Sequence, residues 1–488
     1  MERYRLQWRR DDSAWVASHA VGDPSLPRGP PTSTATPVVA VAPGVYKPRR
    51  AAASPLFRLL QDRFPEFHAC YEERFAHTYG DWRPVVREVA EKFLACGILA
   101  HGFARVRCES AGCGHEYLVA FSCKARYFCP SCHAKRLALW TLWLEERLLE
   151  REVPHRQVVL TIPKRLRTWC LYRRRLLGDL ARVAARTVTA AVRVMTREPE
   201  LAVGIVACIQ THGSRANWHP HIHMIVTDSG FRLDGTFVPW PAHDTAALTE
   251  AFRRALLRAF VRRGVVESED ADAMLAWPHS GFHVHDAVWV PDGDTAFALR
   301  LARYCARNPV ALERLTYERR DPVRYRSDKT DGPTAGTETV DPLEFLARVT
   351  AHISDKHQVM TRYSGWYANR VRGRRRRAEV SEGAAVVVAP CERVPLREAQ
   401  RRWAELLRRS YEVDPLTCPA CSGPMRIVAF ITERAVIERI LAQLASRATR
   451  PSAPGERRDA RAPPSATRPT RRSARLRRTP PADAAELV

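Results

Sequence analysis

The sequence predicts an α+β protein with a largely antiparallel sheet. Short β-rich runs and longer runs of helical period mix through the middle of the chain without strict strand–helix alternation. None of the strands is followed by the Gly-rich turn that opens a doubly wound sheet. A Cys-rich stretch precedes them, marking a small metal-dependent module on the N-terminal side.

Taken in order, residues 21–55 are rich in Pro, Ala and Ser without period, so disorder is expected over 1–55. Val85, Val89, Phe93 and Leu94 recur at helical spacing, so helices are expected from Pro55 to Leu99. Cys-rich loops follow, then a helix from Ala134 to Glu150, which closes a helical and zinc-binding DNA-binding domain over 56–150. A second domain over 151–380 should hold strands at Gln157–Ile162, Ala202–Gln210, His219–Thr227 and Phe282–Val290. A long helix is expected at Leu171–Met195, and two more, at Thr245–Arg263 and Asp270–Leu275, read as an insertion. A helix at Thr295–Arg307 stops before Pro309. A turn at Arg319–Val323 joins two strands, and a helix at Pro342–Ser354 leads to a strand at Met360–Tyr367. A C-terminal segment over 381–445 carries one CxxC, and 446–488 reads as a disordered basic tail.

The formal net charge is +25, and of 78 basic residues only seven are Lys. So strong an excess implies a polyanionic partner, and the planar Arg fork suits phosphates and guanine edges. Nucleic acid is therefore the expected partner, with the basic tail adding nonspecific hold. No leader-like start and no run of about 18 apolar residues occurs, so a cytoplasmic, nucleoid-associated protein is expected. No Walker loop and no GxSxG elbow is present, which argues against NTP-driven and serine-hydrolase chemistry.

Five of the thirteen Cys fall between Cys108 and Cys132. Cys108 with Cys113, and Cys129 with Cys132, form two close pairs able to converge on one tetrahedral Zn²⁺. The first pair is wider than usual, which leaves Cys123 as a replacement ligand and His115 or His133 as weaker ones. Lys124, Arg126, Lys135 and Arg136 surround the second knuckle with positive charge where a phosphate backbone docks. Cys418 and Cys421 form another CxxC, but two ligands cannot close a structural site, so it either contributes to a shared site or forms a turn.

The segment QTHGSRANWHPHIHMIVTDSG places His221 and His223 on one face of a strand, with Ile222 turned to the core. Two imidazoles on one face are half of a metal site. The HPHIH core resembles the His-hydrophobe-His motif of HUH nucleases, in particular the rolling-circle transposases of the insertion-sequence-ninety-one type. SCKARYFCPSC is similar to their zinc-binding domain, and RYCARNPVALERL and TRYSGWYANRVRGR are similar to later segments. The resemblance spans about Phe93 to Thr432. It implies a ferredoxin-like antiparallel palm, a Mg²⁺ or Mn²⁺ held by the His pair, and a tyrosine nucleophile on a helix, carried over here as Tyr304.

That resemblance implies a DNA transposase that nicks and rejoins single-stranded or hairpin ends of its own element through a 5′-phosphotyrosine. Relatives with two tyrosines four residues apart have no counterpart here, since Arg300 stands at the earlier position. Arg300 and Arg307, at i−4 and i+3, flank Tyr304 on a helix that also bears Arg303; they are expected to lower its pKa and hold the scissile phosphate. The third cation ligand is open among Gln210, His212 and Asp228, with His283 and His285 as a further His-x-His. Trp218, Tyr363, Trp366 and Tyr367 are candidates for stacking bases, and Arg374 and Arg375 for holding phosphates. Rival readings are a replication initiator or relaxase, and a non-catalytic zinc-dependent DNA-binding remnant.

Overall fold

The structure is a computed structural model that describes residues 6–7, 16–17, 51–125, 127–150, 152–319, 321–382 and 417–448. The segments expected to be disordered lie almost wholly outside the described residues, as does Arg126. At their edges Ala51–Ala53 forms a 3-10 turn, and Ser446 to Ala448 ends a helix instead of belonging to a tail.

Helices α1 (Pro55–Arg74) and α2 (Pro84–Leu94) each open on a Pro, whose missing N–H falls among groups unpaired in any first turn. A hairpin follows, β1 (Phe103–Cys108) and β2 (Glu116–Ala120), then α3 (Pro130–Arg147) and β3 (His155–Thr161). The long helix expected at Leu171–Met195 is two, α4 (Lys164–Tyr172) and α5 (Arg175–Thr196). The break falls where Arg174 turns inward, its guanidinium 5.0 Å from the centre of the Trp218 ring.

Strands β4 (Ala202–His212) and β5 (Trp218–Phe231) run longer than their apolar cores, because pairing with each other and with β6 (Phe237–Pro239) extends them. Then come α6 (Thr245–Arg262), capped by the Asp244 side chain, α7 (Ser268–Leu275), β7 (His283–Val290) and α8 (Thr295–Cys305), capped by Asp294. Strands β8 (Leu315–Thr316), β9 (Val323–Arg326) and β10 (Thr337–Val340) form a small antiparallel sheet before α9 (Pro342–Ala351). Strand β11 (Thr361–Gly365), helix α10 (Asn369–Glu382), β12 (Met425–Ile431) and α11 (Arg434–Ala448) complete the order.

The chain clusters into two units. The larger holds residues 49–97 and 122–387, and the smaller holds 98–121 with 388–488. The stretch expected to form one zinc module is thus divided between them.

In the larger unit an antiparallel sheet has the order β11-β4-β5-β3-β7, with β6 on the far end of β5. The fold is therefore α+β with antiparallel sheets. Period two sends Ile222, Met224 and Val226 to a face covered by α5 and α6, through Leu177, Leu180, Val188, Phe252 and Leu256. Ile225, Val206 and Cys208 face the other way, against Leu144 and Leu148 beside α3 and Leu301, Ala302 and Cys305 on α8. That second face also carries His221 and His223, so the alternation of β5 delivers both imidazoles to the layer that contains Tyr304. Gly365 ends β11 at φ +57, in contact distance of the Val203 backbone, where a Cβ has no room.

In the smaller unit β12 pairs with β1, and β1 with β2, all antiparallel. Among the described residues no helix is long and apolar enough to cross a membrane.

Candidate catalytic centre and cysteine clusters

His221 and His223 sit at the middle of the sheet, where strand register fixes their neighbours. Gln210 on β4 and Thr161 on β3 flank His221; Cys208 and Val159 flank His223. The two Nε2 atoms are 3.0 Å apart. His221 donates its Nδ1–H to the His219 carbonyl at 2.7 Å, so its Nε2 is a bare lone pair. The Gln157 amide lies 3.1 Å from His223 Nδ1 and fixes that ring. Burial and nearby positive charge hold both imidazoles neutral: His221 is pushed down to about 4, and His223 falls well below the ordinary histidine range. Neutral imidazole is the form that ligates a cation.

Tyr304, in the last turn of α8, meets His223 edge to face, with ring centroids 5.4 Å apart at 89°. The Gln210 amide donates to the Tyr304 and Cys305 carbonyls at 3.0 and 2.8 Å, tying the end of α8 to β4. Its Oε1 is buried and has no hydrogen-bond partner. An acceptor left so costs about 1–3 kcal/mol, which a positive ligand would offset.

Other candidates for the third ligand fare differently. Asp228, near the opposite end of β5, accepts from Arg156 at 2.7 Å and Trp289 at 2.8 Å, so both its oxygens are engaged. His212 is buried with both ring nitrogens unpartnered, and its ring lies 6.0 Å from that of His352. Among the described residues no His, Cys, Asp or Glu brings a ligand atom within 4.8 Å of both members of the His pair. His283 and His285 lie on β7 in register with Thr161 and Val159, so β3 separates them from the pair on β5.

The arginines expected around Tyr304 divide. Arg307 lies over its ring at 4.9 Å and pairs with Asp328 at 2.8 Å. Arg300 lies instead over Phe297, and Arg303 is exposed. The expected depression of the phenol pKa does not result: burial raises it, outweighing the pull of Arg307. The aromatic candidates are also partly committed. Tyr367 is fully buried against His155, and Trp366 is stacked between Phe231 at 4.2 Å and Arg375 at 3.6 Å. Trp218 stacks on His352. Arg375 also reaches Glu150, whereas Arg374 is exposed. Tyr363 shares a cleft of about 450 Å³ with Tyr127, Trp140 and Arg136.

The cysteines correct the expected set. Cys108 and Cys113 do not converge with Cys129 and Cys132. In the larger unit Cys129 and Cys132 join Cys96 and Cys123, with Sγ–Sγ separations of 3.5, 3.6 and 3.8 Å. Four thiolates at about 2.3 Å from a tetrahedral Zn²⁺ stand about 3.8 Å apart, whereas a disulfide would bring two to about 2.05 Å. The separations match the metal geometry. In the smaller unit Cys108 and Cys113 gather with Cys418 and Cys421. The physical reason is that β1 ends at Cys108 opposite Met425, which carries the adjoining CxxC turn to it. Cys123 follows from its spacing to Cys129 and Cys132; Cys96, 27 positions earlier, had no local pattern to mark it.

Lys124 is exposed, and Lys135 and Arg136 occupy the second turn of α3 beside the Cys129–Cys132 knuckle. His133 is not a ligand. Its Nε2–H donates to the Ala306 carbonyl at 2.7 Å, two residues beyond Tyr304. The knuckle and the C-terminal end of the tyrosine helix are thereby joined within one unit.

A sheet presenting a neutral His pair to a helical tyrosine, beside a tetrathiolate cluster, fits a metal-dependent DNA-processing protein. Residues 66–162 match the family described as "Transposase zinc-binding domain", and residues 204–375 match "Putative transposase". The chain is 28% identical over 366 residues to the transposase for insertion sequence element IS801 of Pseudomonas savastanoi pv. phaseolicola, covering 72% of this chain and 86% of that one. It is also 28% identical over 378 residues to the putative transposase y4qJ of Sinorhizobium fredii, covering 72% and 90%. No solved structure matches the chain. The protein is a transposase of insertion-sequence type. The match over residues 66–162 is to the zinc-binding domain of IS91-type transposases, and the chain is similar to such transposases over most of its length.

Proposed function

We propose that the chain nicks and rejoins single-stranded DNA at the ends of its own element, with Tyr304 as nucleophile, for rolling-circle transposition. The edge-to-face contact of Tyr304 with His223 carries this reading, because it sets the phenol beside the neutral His221–His223 pair. The antiparallel sheet with the His pair on an inner strand supports an HUH palm.

His221, His223 and Gln210 through Oε1 would hold a Mg²⁺ or Mn²⁺, and that ion supplies charge neutralisation on the phosphate. The donor set fits: two neutral imidazoles and a buried carbonyl oxygen with no other partner. Gln157 adapts to either state, since turning its amide presents a carbonyl to a His223 Nδ1–H and leaves Nε2 free. The Tyr304 oxygen attacks phosphorus, the P–O3′ bond breaks, the phenol loses its proton and the departing oxygen gains one. The 5′ phosphate stays on Tyr304 and a 3′-OH is released. Attack by another 3′-OH restores the phosphodiester, and no ATP is consumed because the bond energy is kept. Burial keeps the phenol protonated until substrate arrives, while Arg307, over the ring, opposes that and faces the phosphate charge.

The Cys96–Cys123–Cys129–Cys132 cluster holds zinc in this reading, with Lys124, Lys135 and Arg136 against the DNA backbone and Tyr127, Trp140 and Tyr363 lining a cleft for unpaired bases. The workplace of such an enzyme is the bacterial cytoplasm. His221→Ala tests the reading: nicking of labelled single-stranded end DNA in Mn²⁺ is lost while DNA binding persists. Undiminished nicking by this variant contradicts it.

A further inference from the structure

The Cys108–Cys113–Cys418–Cys421 cluster belongs to neither matched region as a whole, because both families end before Cys418. Its Sγ atoms lie within 4.8 Å of one another, with Cys108 to Cys421 at 3.5 Å and Cys113 to Cys418 at 3.7 Å. These are again the edges of a tetrahedron drawn about Zn²⁺ and are too long for disulfides.

Two turns are built to present the thiols. In the first, the Ser110 amide lies 3.4 Å from Cys108 Sγ, Cys113 N donates to the Ser110 carbonyl at 3.2 Å, and Gly112 and Gly114 take positive φ. In the second, Ser422 N donates to the Cys418 carbonyl and Cys418 N to the Gly423 carbonyl, both at 2.8 Å, with Ser422 at φ +56. An amide aimed at sulfur favours thiolate over thiol.

The packing gives the cluster its purpose. The buried apolar group around it consists of Val106, Cys108, Cys418 and Met425, with Tyr117, Val119 and Ile427 at its margin. Few apolar side chains surround the four thiols among the described residues, and a metal staple is the common way to hold strands together at such a place. We propose that these four cysteines bind a second Zn²⁺, a structural tetrathiolate that fastens the C-terminal strand β12 to the hairpin β1–β2.

The test counts metal on the full-length chain. The purified protein should release two Zn²⁺ per chain when its thiols are blocked. Cys418→Ser with Cys421→Ser should release one, as should Cys129→Ser with Cys132→Ser. Because a variant can fail to fold, the unaltered protein is also stripped and titrated with Co²⁺: thiolate charge-transfer absorbance should rise to two equivalents. Saturation at one equivalent, a single zinc in the unaltered chain, or two zincs retained by the Cys418/Cys421 variant would each overturn the proposal.

Discussion

The rings of His223 and Tyr304 meet at 89° with centroids 5.4 Å apart, one from the middle of a sheet and the other from the last turn of a helix. The contact depends on Gln210, which ties the end of that helix to the neighbouring strand while leaving its own carbonyl oxygen free.

Gln210→Leu should therefore separate cation binding from folding. The Mn²⁺ concentration for half-maximal nicking is expected to rise at least tenfold. Equal Mn²⁺ dependence in the Leu variant and the unaltered protein would remove Gln210 from the site.

His133 joins the cysteine knuckle to the residue that caps the tyrosine helix. In His133→Ala, zinc content and affinity for single-stranded DNA should stay unchanged, and the rate of nicking should fall by about tenfold, the effect of about 1.4 kcal/mol on the barrier. His133→Gln, which can still donate to the carbonyl, should recover part of it. A loss of DNA affinity with the rate intact would place His133 in binding instead.

His155 is buried against Tyr367, and burial pushes its pKa down to about 4, below the 6.5 of an unfolded histidine. The unfolded chain thus binds more protons than the folded one between pH 6.5 and 4, so stability rises with pH through that window and is flat above it. Each pKa unit is about 1.4 kcal/mol, so His155 contributes roughly 3 kcal/mol to the change. Urea midpoints measured from pH 4 to 8 check this, and His155→Gln should shed part of the slope.

Arg374 and Arg375 are neighbours in sequence with different surroundings. Arg374→Ala should lower the salt dependence of DNA binding by about one ion without changing thermal stability. Arg375→Ala should lower stability, because its guanidinium stacks on Trp366 and pairs with Glu150. Thermal melts and salt titrations of both variants distinguish the two roles.

What the sequence made legible follows from the range of each signal. Period-two alternation around Ile222 put His221 and His223 on one face, and the sheet bears that spacing out in its register. The strands of the large sheet were readable because apolar runs are local. The pairing of cysteines was not: Cys96 reaches Cys123 and Cys418 reaches Cys108 only through folding, and a nearest-neighbour reading joined the wrong pairs. Aromatic residues near Arg looked like a base-stacking surface, but Trp366 and Tyr367 spend their faces on Phe231, Arg375 and His155. Composition does not distinguish a ring offered to DNA from one packed at home.

The central claim is that Tyr304 becomes covalently joined to DNA. Single-stranded DNA from the element's ends, labelled on the 3′ side of the nick, is incubated with the protein and Mn²⁺, denatured and resolved. The account predicts a labelled adduct whose digested peptide carries the modification on Tyr304, absent from Tyr304→Phe. An adduct of equal yield in Tyr304→Phe, or cleavage of the correct ends without any adduct, would contradict it.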